Sequence, residues 1–351
     1  MKTEITIAAA ATMSGAASVY GLQIASAVRH VVERINSTGG LLGQSLRFSV
    51  HDDEGSGELA RAHAQDIVSA GASLVVGHYL SSCSLAAAPT YASAGIIQIA
   101  PSTTTPSFTD IAWAAGSRTT FRTCGRDDKQ GRVAAEYIAR HHPGARVAIL
   151  HNDSPYGKGL AEIVQRNLRG LGVSETLSAS VTASPHQVHE VIERLREVKA
   201  DFVYIGGYYA EVAAFLVAAA ASQYEPMVMT GGASANKALY ALAGEHSNGL
   251  LMTCRPDARE LPEARDAVIA LRSYNVEPEG YTLAAVAAVE IWSQAVEACG
   301  TLDSRTVAQE MHARQFPTSY GDIAFDEKGD VVSPLYAIHK WTNGKYLPLT
   351  A

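Results

Sequence analysis

The chain has 351 residues, 47% hydrophobic and 18% charged, a balance that excludes a disordered chain and exceeds what one compact core needs. A formal net charge of −7, a pI near 5.9 and the lack of any Lys/Arg cluster exclude nucleic acid as a partner. No apolar run reaches the roughly 18 residues that would span a bilayer, and the longest, 212–221, reads as an alanine-rich helix.

The first ten residues have the outline of a signal peptide, but Glu4 interrupts a short apolar stretch and only Lys2 precedes it. Residues 5–11 are therefore expected to form a buried first strand, with an export signal either removed from the sequence or never part of it. A helix over 20–37 follows, with Ile24, Val28, Val31, Val32 and Ile35 on one face, and Gly39-Gly40 stops it. Strands are expected at 46–50, 73–77 and 96–99, separated by helices at 58–70 and 82–94.

The theme then repeats. Helices at 129–141, 156–171, 187–199 and 209–222 alternate with strands at 146–150, 202–206 and 227–230. Such alternation predicts an α/β fold with parallel sheets, and two series predict two doubly wound lobes. Beyond residue 250 the pattern changes to helices at 262–274, 281–299 and 304–315, then a hairpin over 335–349 turning at Asn343-Gly344. Helices without strands must pack on a sheet already built. The chain is thus expected to return to the first lobe near Cys254 and to leave it again before the hairpin.

In open parallel sheets ligands bind beyond the carboxyl ends of the strands. Those turns here are 12–15 with Tyr20, 77–82, 100–105, 151–156, 206–208 and 230–234, rich in hydroxyls, small residues and tyrosines. A Ser or Thr before a helix serves as an N-cap, or its turn serves an anion through uncapped N–H groups and the helix dipole. The sequence leaves both readings open.

Enzymatic signatures are absent: there is no G-x-x-x-x-G-K-[ST], H-E-x-x-H or G-x-S-x-G, and no motif places a base beside Ser81 or Ser82. Gly55-Ser56-Gly57 lacks the acidic partner a dinucleotide turn needs and reads as an ordinary turn. His186 and His189, with Glu190, are the most metal-like group but read as a solvated helix face. Asp52-Asp53-Glu54 and Asp127-Asp128 read as turn or hinge structure. Cys83, Cys124, Cys254 and Cys299 show no C-x-x-C spacing and read as small buried hydrophobes. No catalysis, cofactor or metal is expected.

Taken in order, several segments resemble the leucine/isoleucine/valine-binding proteins of bacterial ABC importers. They include Met13-Ser14-Gly15 with Tyr20-Gly21, Asp52-Asp53, Gly77-His78, Ser81-Ser82, Pro101-Ser102-Thr103-Thr104 and Phe121-Arg122-Thr123. Tyr156-Gly157-Lys158-Gly159, Gly206-Gly207-Tyr208 and Phe325-Asp326-Glu327-Lys328-Gly329-Asp330 continue the series. The resemblance implies the type I periplasmic-binding-protein fold, with two lobes joined by a three-segment hinge. The lobes would be 1–123 plus 254–330 and 124–253 plus 331–351. It implies a ligand held between lobes that close over it.

By the same resemblance, Ser81 and Thr104 hold a ligand carboxylate, and the carbonyl of Ser102 accepts from its α-ammonium. Tyr20, Tyr79, Leu80 and Tyr281 form the side-chain pocket, and Tyr156 and Tyr208 close from the second lobe. Two positions depart from the family. Gly55 and Leu80 stand where relatives carry a disulfide, and Gly232 stands where they carry the acidic partner of the ammonium. The expected function is an extracytoplasmic, periplasmic receptor, monomeric, that delivers an aliphatic amino acid or related small carboxylate to an inner-membrane ABC permease. The alternative is a cytoplasmic regulator of the same fold that senses an amide or amino acid.

Overall fold

The structure is a computed structural model that describes residues 4–332 and 336–349. The chain divides into two compact units: Met1–Gly125 with Asp257–Pro334 (unit 1), and Arg126–Pro256 with Leu335–Ala351 (unit 2).

Unit 1 opens with β1 (Ile5–Ala11), α1 (Ser18–Ser37), β2 (Leu46–Asp52), α2 (Gly57–Ser69) and β3 (Leu74–Gly77). It continues with α3 (Ser81–Ser93), β4 (Ile97–Ala100), α4 (Ser107–Ala114) and β5 (Thr120–Arg122). Unit 2 then contributes α5 (Asp127–His141), β6 (Val147–His151), α6 (Pro155–Gly170), β7 (Leu177–Ser180), α7 (Pro185–Glu197) and β8 (Phe202–Gly206). After these come α8 (Tyr209–Ala221), β9 (Met227–Thr230), α9 (Lys237–Ala243) and β10 (Leu251–Cys254). The chain re-enters unit 1 for α10 (Arg265–Ser273), α11 (Thr282–Cys299) and α12 (Ser304–Ala313), and ends in unit 2 with β11 (Ala337–Thr342) and β12 (Lys345–Pro348).

Among the described residues, the sheet of unit 1 runs β2-β1-β3-β4-β5, and all four pairings are parallel. β1 is buried along its whole length, which explains its unbroken apolar run. Its close approach to β3 requires Gly77: φ is +146°, and a Cβ there would sit 1.9 Å from the carbonyl oxygen of Ala10. On one face α1 lays Ile24, Val28, Val31 and Val32 inward and packs against α11, whose Leu283, Val286, Val289, Ile291 and Trp292 are buried. Cutting a side chain such as Ile291 back to Ala would cost about 2–5 kcal/mol.

The sheet of unit 2 runs β12-β11-β10-β9-β8-β6-β7, parallel from β7 to β10 and antiparallel at β11 and β12. Its core includes Ile149, Leu160, Val164, Leu168, Phe202, Tyr204 and Met229. The turn of the terminal hairpin falls at Asn343-Gly344 as expected, and residue 335 of its predicted span lies outside the described residues.

Five helices and strands were not expected from sequence: α4, β5, β7, α9 and β10. The helix predicted over 262–274 is also broken, beginning as a 3-10 turn at Pro262–Ala264 before α10.

Candidate functional site

In each sheet the strand order reverses once. The reversal lies between β1 and β3 in unit 1, and between β6 and β8 in unit 2. At such a switch point the loops leave in opposite directions and open a crevice beyond the strand ends. Tyr20, Tyr79, Leu80 and Ser81 follow β1 and β3, and Tyr156 and Tyr208 follow β6 and β8, while Ser102 and Thr104 follow β4, Gly232 follows β9 and Tyr281 precedes α11.

In unit 1, Tyr20 on α1 and Tyr79 after β3 are both buried, and their rings stack with centroids 4.5 Å apart at 12°. Leu80 occupies the N-cap of α3 and offers no side-chain cap, so its side chain leaves the first N–H groups of that helix uncapped. Ser81, buried, is the first helical residue. On the next strand, Ser102 donates its hydroxyl to the carbonyl of Tyr79 at 3.0 Å. Thr103 donates to the carbonyl of His78 at 3.2 Å and shares a 2.6 Å contact with Ser84.

Thr104 differs from these neighbours. Its side chain is fully buried, and its Oγ1 has no hydrogen-bond partner among the described residues. Arg122 clamps the backbone on either side, donating through Nη1 to the carbonyls of Thr103 (2.6 Å) and Thr105 (3.0 Å). A buried hydroxyl left unpaired costs about 1–3 kcal/mol, so a donor or acceptor brought to it gains a favourable bond. Tyr281, half-buried, stands at the N-cap of α11. Its loop is tied to α1 by Gln23, which donates to the carbonyl of Glu277 at 3.0 Å.

Residues the sequence did not single out for this site lie beneath it. His78 is fully buried, with Nδ1 2.6 Å from Oδ2 of Asp53 and Nε2 3.2 Å from the hydroxyl of Tyr91. Asp53, also fully buried, accepts from the hydroxyl of Thr12 at 2.6 Å and from the N–H of Gly55 at 3.0 Å. Burial alone would push the Asp53 carboxyl up. The hydrogen bond and charge of His78, with Thr12 and Gly55, more than offset this and hold it below its ordinary range. Asp52 serves the turn, accepting from the N–H groups of Met13 and Glu54.

In unit 2, Ser154 caps α6 by accepting from the N–H of Gly157 at 2.9 Å, which places Tyr156 in the first turn. Tyr208 is the N-cap of α8, and its N–H donates to Glu211 at 3.0 Å. The rings of Tyr156 and Tyr208 lie 5.2 Å apart. Burial pushes the Tyr156 phenol well above its usual range, and the charge of Asp127 adds to the shift. Gly232 opens the 3-10 turn Gly232–Ser234 after β9. Ser234, which sequence reasoning passed over, is fully buried there, and its Oγ has no hydrogen-bond partner among the described residues.

The remaining candidates have local explanations. Ser56, in the glycine-rich turn, caps α2. His189 bonds through Nδ1 to the carbonyl of Pro185 at 2.7 Å. Cys83, Cys124 and Cys254 are buried, and no disulfide forms among the described residues. Gly55 and Leu80 are neighbours: a Cβ on Gly55 would sit 3.4 Å from Cδ1 of Leu80.

Residues 4–345 match a family model described as periplasmic binding protein. The Leu/Ile/Val-binding protein homolog 1 of Brucella suis is 34% identical over 333 residues, which cover 95% of this chain and 89% of that protein. The crystal structure of a leucine-binding protein of Thermotoga maritima superposes with a TM-score of 0.87 at 22% identity, over 99% of this chain and 98% of that one. An ABC transporter substrate-binding protein of Desulfitobacterium hafniense, solved in complex with Leu, superposes with a TM-score of 0.80 at 25% identity, over 99% and 100%.

Proposed function

The chain belongs to the periplasmic binding protein family of substrate-binding proteins, and from that premise we propose that it captures an aliphatic amino acid or a related small carboxylate for an ABC importer. The observation that carries this reading is the buried hydroxyl of Thr104, without a hydrogen-bond partner among the described residues, together with the uncapped start of α3 in the same unit. Hydroxyl and N–H donors that converge on a water-poor site favour a carboxylate, because charge-assisted hydrogen bonds are about twice as strong as neutral ones.

On this reading Ser81 and Thr104 bind the carboxylate, and the carbonyl of Ser102 accepts from an ammonium if the ligand carries one. Tyr20, Tyr79, Leu80 and Tyr281 surround the apolar body, with Tyr20 and Tyr79 as a stacked wall. Tyr156, Tyr208 and Gly232 are the residues of unit 2 that this reading assigns to the ligand. A hydrolytic reading finds no support in His78, the base in the Gly77–Ser82 turn, because both its ring nitrogens are engaged by Asp53 and Tyr91. Membership of the periplasmic binding protein family supports a periplasmic location, and delivery to a permease of the inner membrane by a monomeric protein is part of the same proposal.

Mass spectrometry of small molecules released from the purified protein by denaturation tests the assignment. A stoichiometric carboxylate supports it. Recovery of a ligand with no carboxylate, or failure of calorimetry to detect binding of leucine, isoleucine, valine and their 2-oxo analogues, overturns it.

A further inference from the structure

We propose that the buried Asp53–His78 pair is the positioning device of the carboxylate site, holding Tyr79, Ser81 and Thr104 in register. This rests on the binding role given above to Ser81 and Thr104.

The pair sits where three turns meet. Through Asp53 it reaches back to the turn after β1, by the Thr12 hydroxyl at 2.6 Å, and to its own turn after β2, by the Gly55 N–H. Through Nε2 of His78 it reaches α3 at Tyr91. Asp53 at Nδ1 and Tyr91 at Nε2 hold the ring from both sides and fix its orientation.

The backbone that carries the ring is fixed as firmly as the ring itself. The N–H of His78 donates to Ser84 Oγ at 3.1 Å, and its carbonyl accepts from Thr103. The carbonyls of its two neighbours are also taken, Gly77 by Gln98 Nε2 at 3.0 Å and Tyr79 by Ser102. Tyr79 and Ser81 lie one and three residues beyond His78, and Thr104 lies one residue beyond Thr103. A displacement of the His78 ring is therefore handed directly to the three groups that would meet the ligand.

Burying such a pair has a cost that an apolar replacement of similar volume would avoid. Through Tyr91 the pair borders an apolar cluster that includes Ala8, Ala10, Ala64, Val75 and Cys83. Stability alone gives no reason for an acid and an imidazole at its edge. Fixing a turn from three sides does, since a misplaced donor loses a hydrogen bond that depends steeply on angle and distance. The polar atoms of both side chains are taken by Thr12, Gly55, Tyr91 and each other, so both act through the residues they hold.

The test compares the full chain with D53A and D53N. The asparagine of D53N keeps acceptor and donor positions for Thr12, Gly55 and His78, whereas the alanine of D53A keeps none. Leucine and 4-methyl-2-oxopentanoate are titrated calorimetrically, melting is recorded, and the backbone amide resonances of Ser81 and Thr104 are followed without ligand. The expected result is a loss of roughly tenfold or more in affinity for the bound probe in D53A. D53N recovers most of that affinity while still melting below the unaltered protein.

The amide resonances of Ser81 and Thr104 move in D53A and return in D53N. Unchanged affinity in D53A, or a loss in both variants that only follows their melting temperatures, overturns the proposal. Should D53A not fold, Y91F and T12V each remove one outer contact of the pair, and unchanged affinity in both likewise overturns it. If neither probe binds the unaltered protein, the ligand assignment fails on its own. The resonances then decide the positioning role, and their staying in place in D53A rejects it.

Discussion

Arg122 and Asp330 form an ion pair in the interior of unit 1, with Nε 2.6 Å from Oδ1 and side-chain exposures of 0% and 2%. Thr109 bridges them, accepting from Nη2 of Arg122 at 2.7 Å and donating to both carboxylate oxygens of Asp330. The N–H of Arg122 also donates to the carbonyl of Gly329 at 3.0 Å. Because Arg122 clamps Thr103 and Thr105, the pair underlies the turn that presents Thr104. Asp330→Ala leaves a buried guanidinium unpaired and is expected to cost about 3–5 kcal/mol by urea unfolding. Replacing both partners by apolar residues of similar volume should recover much of that loss. A cost below about 1 kcal/mol for Asp330→Ala would show that water replaces the carboxylate.

Thr104→Val separates stability from binding. Removing a buried hydroxyl that has no partner among the described residues should stabilise the ligand-free protein by about 1 kcal/mol. The same change should weaken carboxylate binding roughly 10- to 100-fold, as should Ser81→Ala, because each deletes one charge-assisted hydrogen bond. Calorimetry and thermal melting measure the two effects together. Unchanged affinity in both variants sinks the assignment.

Gly232→Glu reports the charge of the ligand. Gly232 opens a 3-10 turn, a right-handed backbone conformation that residues with a side chain also adopt. If relatives carry an acid here, as the resemblance implies, glycine removes a charge, which favours a ligand lacking an ammonium. For such a ligand the new carboxylate is buried unpaired, and binding is expected to fall by several kcal/mol, on the order of 3. For an α-amino acid the same carboxylate preserves or improves binding. Titration of leucine and 2-oxo-4-methylpentanoate against both forms distinguishes the cases. Tight binding of leucine to the unaltered protein refutes the expectation.

Acid should destabilise unit 1 over a defined range. Arg272 and Arg259 hydrogen-bond Glu277 and outweigh its partial burial, holding its carboxyl down at about 2. Asp53 is also held low. A carboxyl that binds protons less readily when folded contributes stability above its ordinary value, roughly 4, and loses it as pH falls toward the folded value. The urea midpoint should therefore drop between about pH 4 and pH 2. Glu277→Gln should flatten part of that slope, and an unaltered slope would show that Glu277 plays no part.

The α/β alternation was legible because strands such as β3 and β8 are buried along their whole length and so read as continuous apolar runs. What was missed lacked that signal. β5 has three residues, too few to show a period, and in β7 only Ala179 is buried. α4 is eight residues long and begins after Pro106 in a run of hydroxyl residues that reads as loop. At the site, the strand-end turns could be located by their position after apolar runs. The Asp53–His78 contact could not, because nothing in the spacing of two residues at the ends of separate strands marks them as partners. Asp53, expected to serve only its turn, is instead the buried acid beneath the site.

The division of unit 1 into two stretches of chain fixes an order of assembly. Its five strands and first four helices are complete by residue 125, yet α11, which covers α1 and meets β3 and β4, belongs to the second stretch from Asp257 onward. A nascent chain therefore carries a half-built first unit, with the apolar faces of α1, β3 and β4 bare, while nearly all of the other unit is made. The vulnerable species in biosynthesis is this waiting sheet, and a chain ended at residue 256 should aggregate through it.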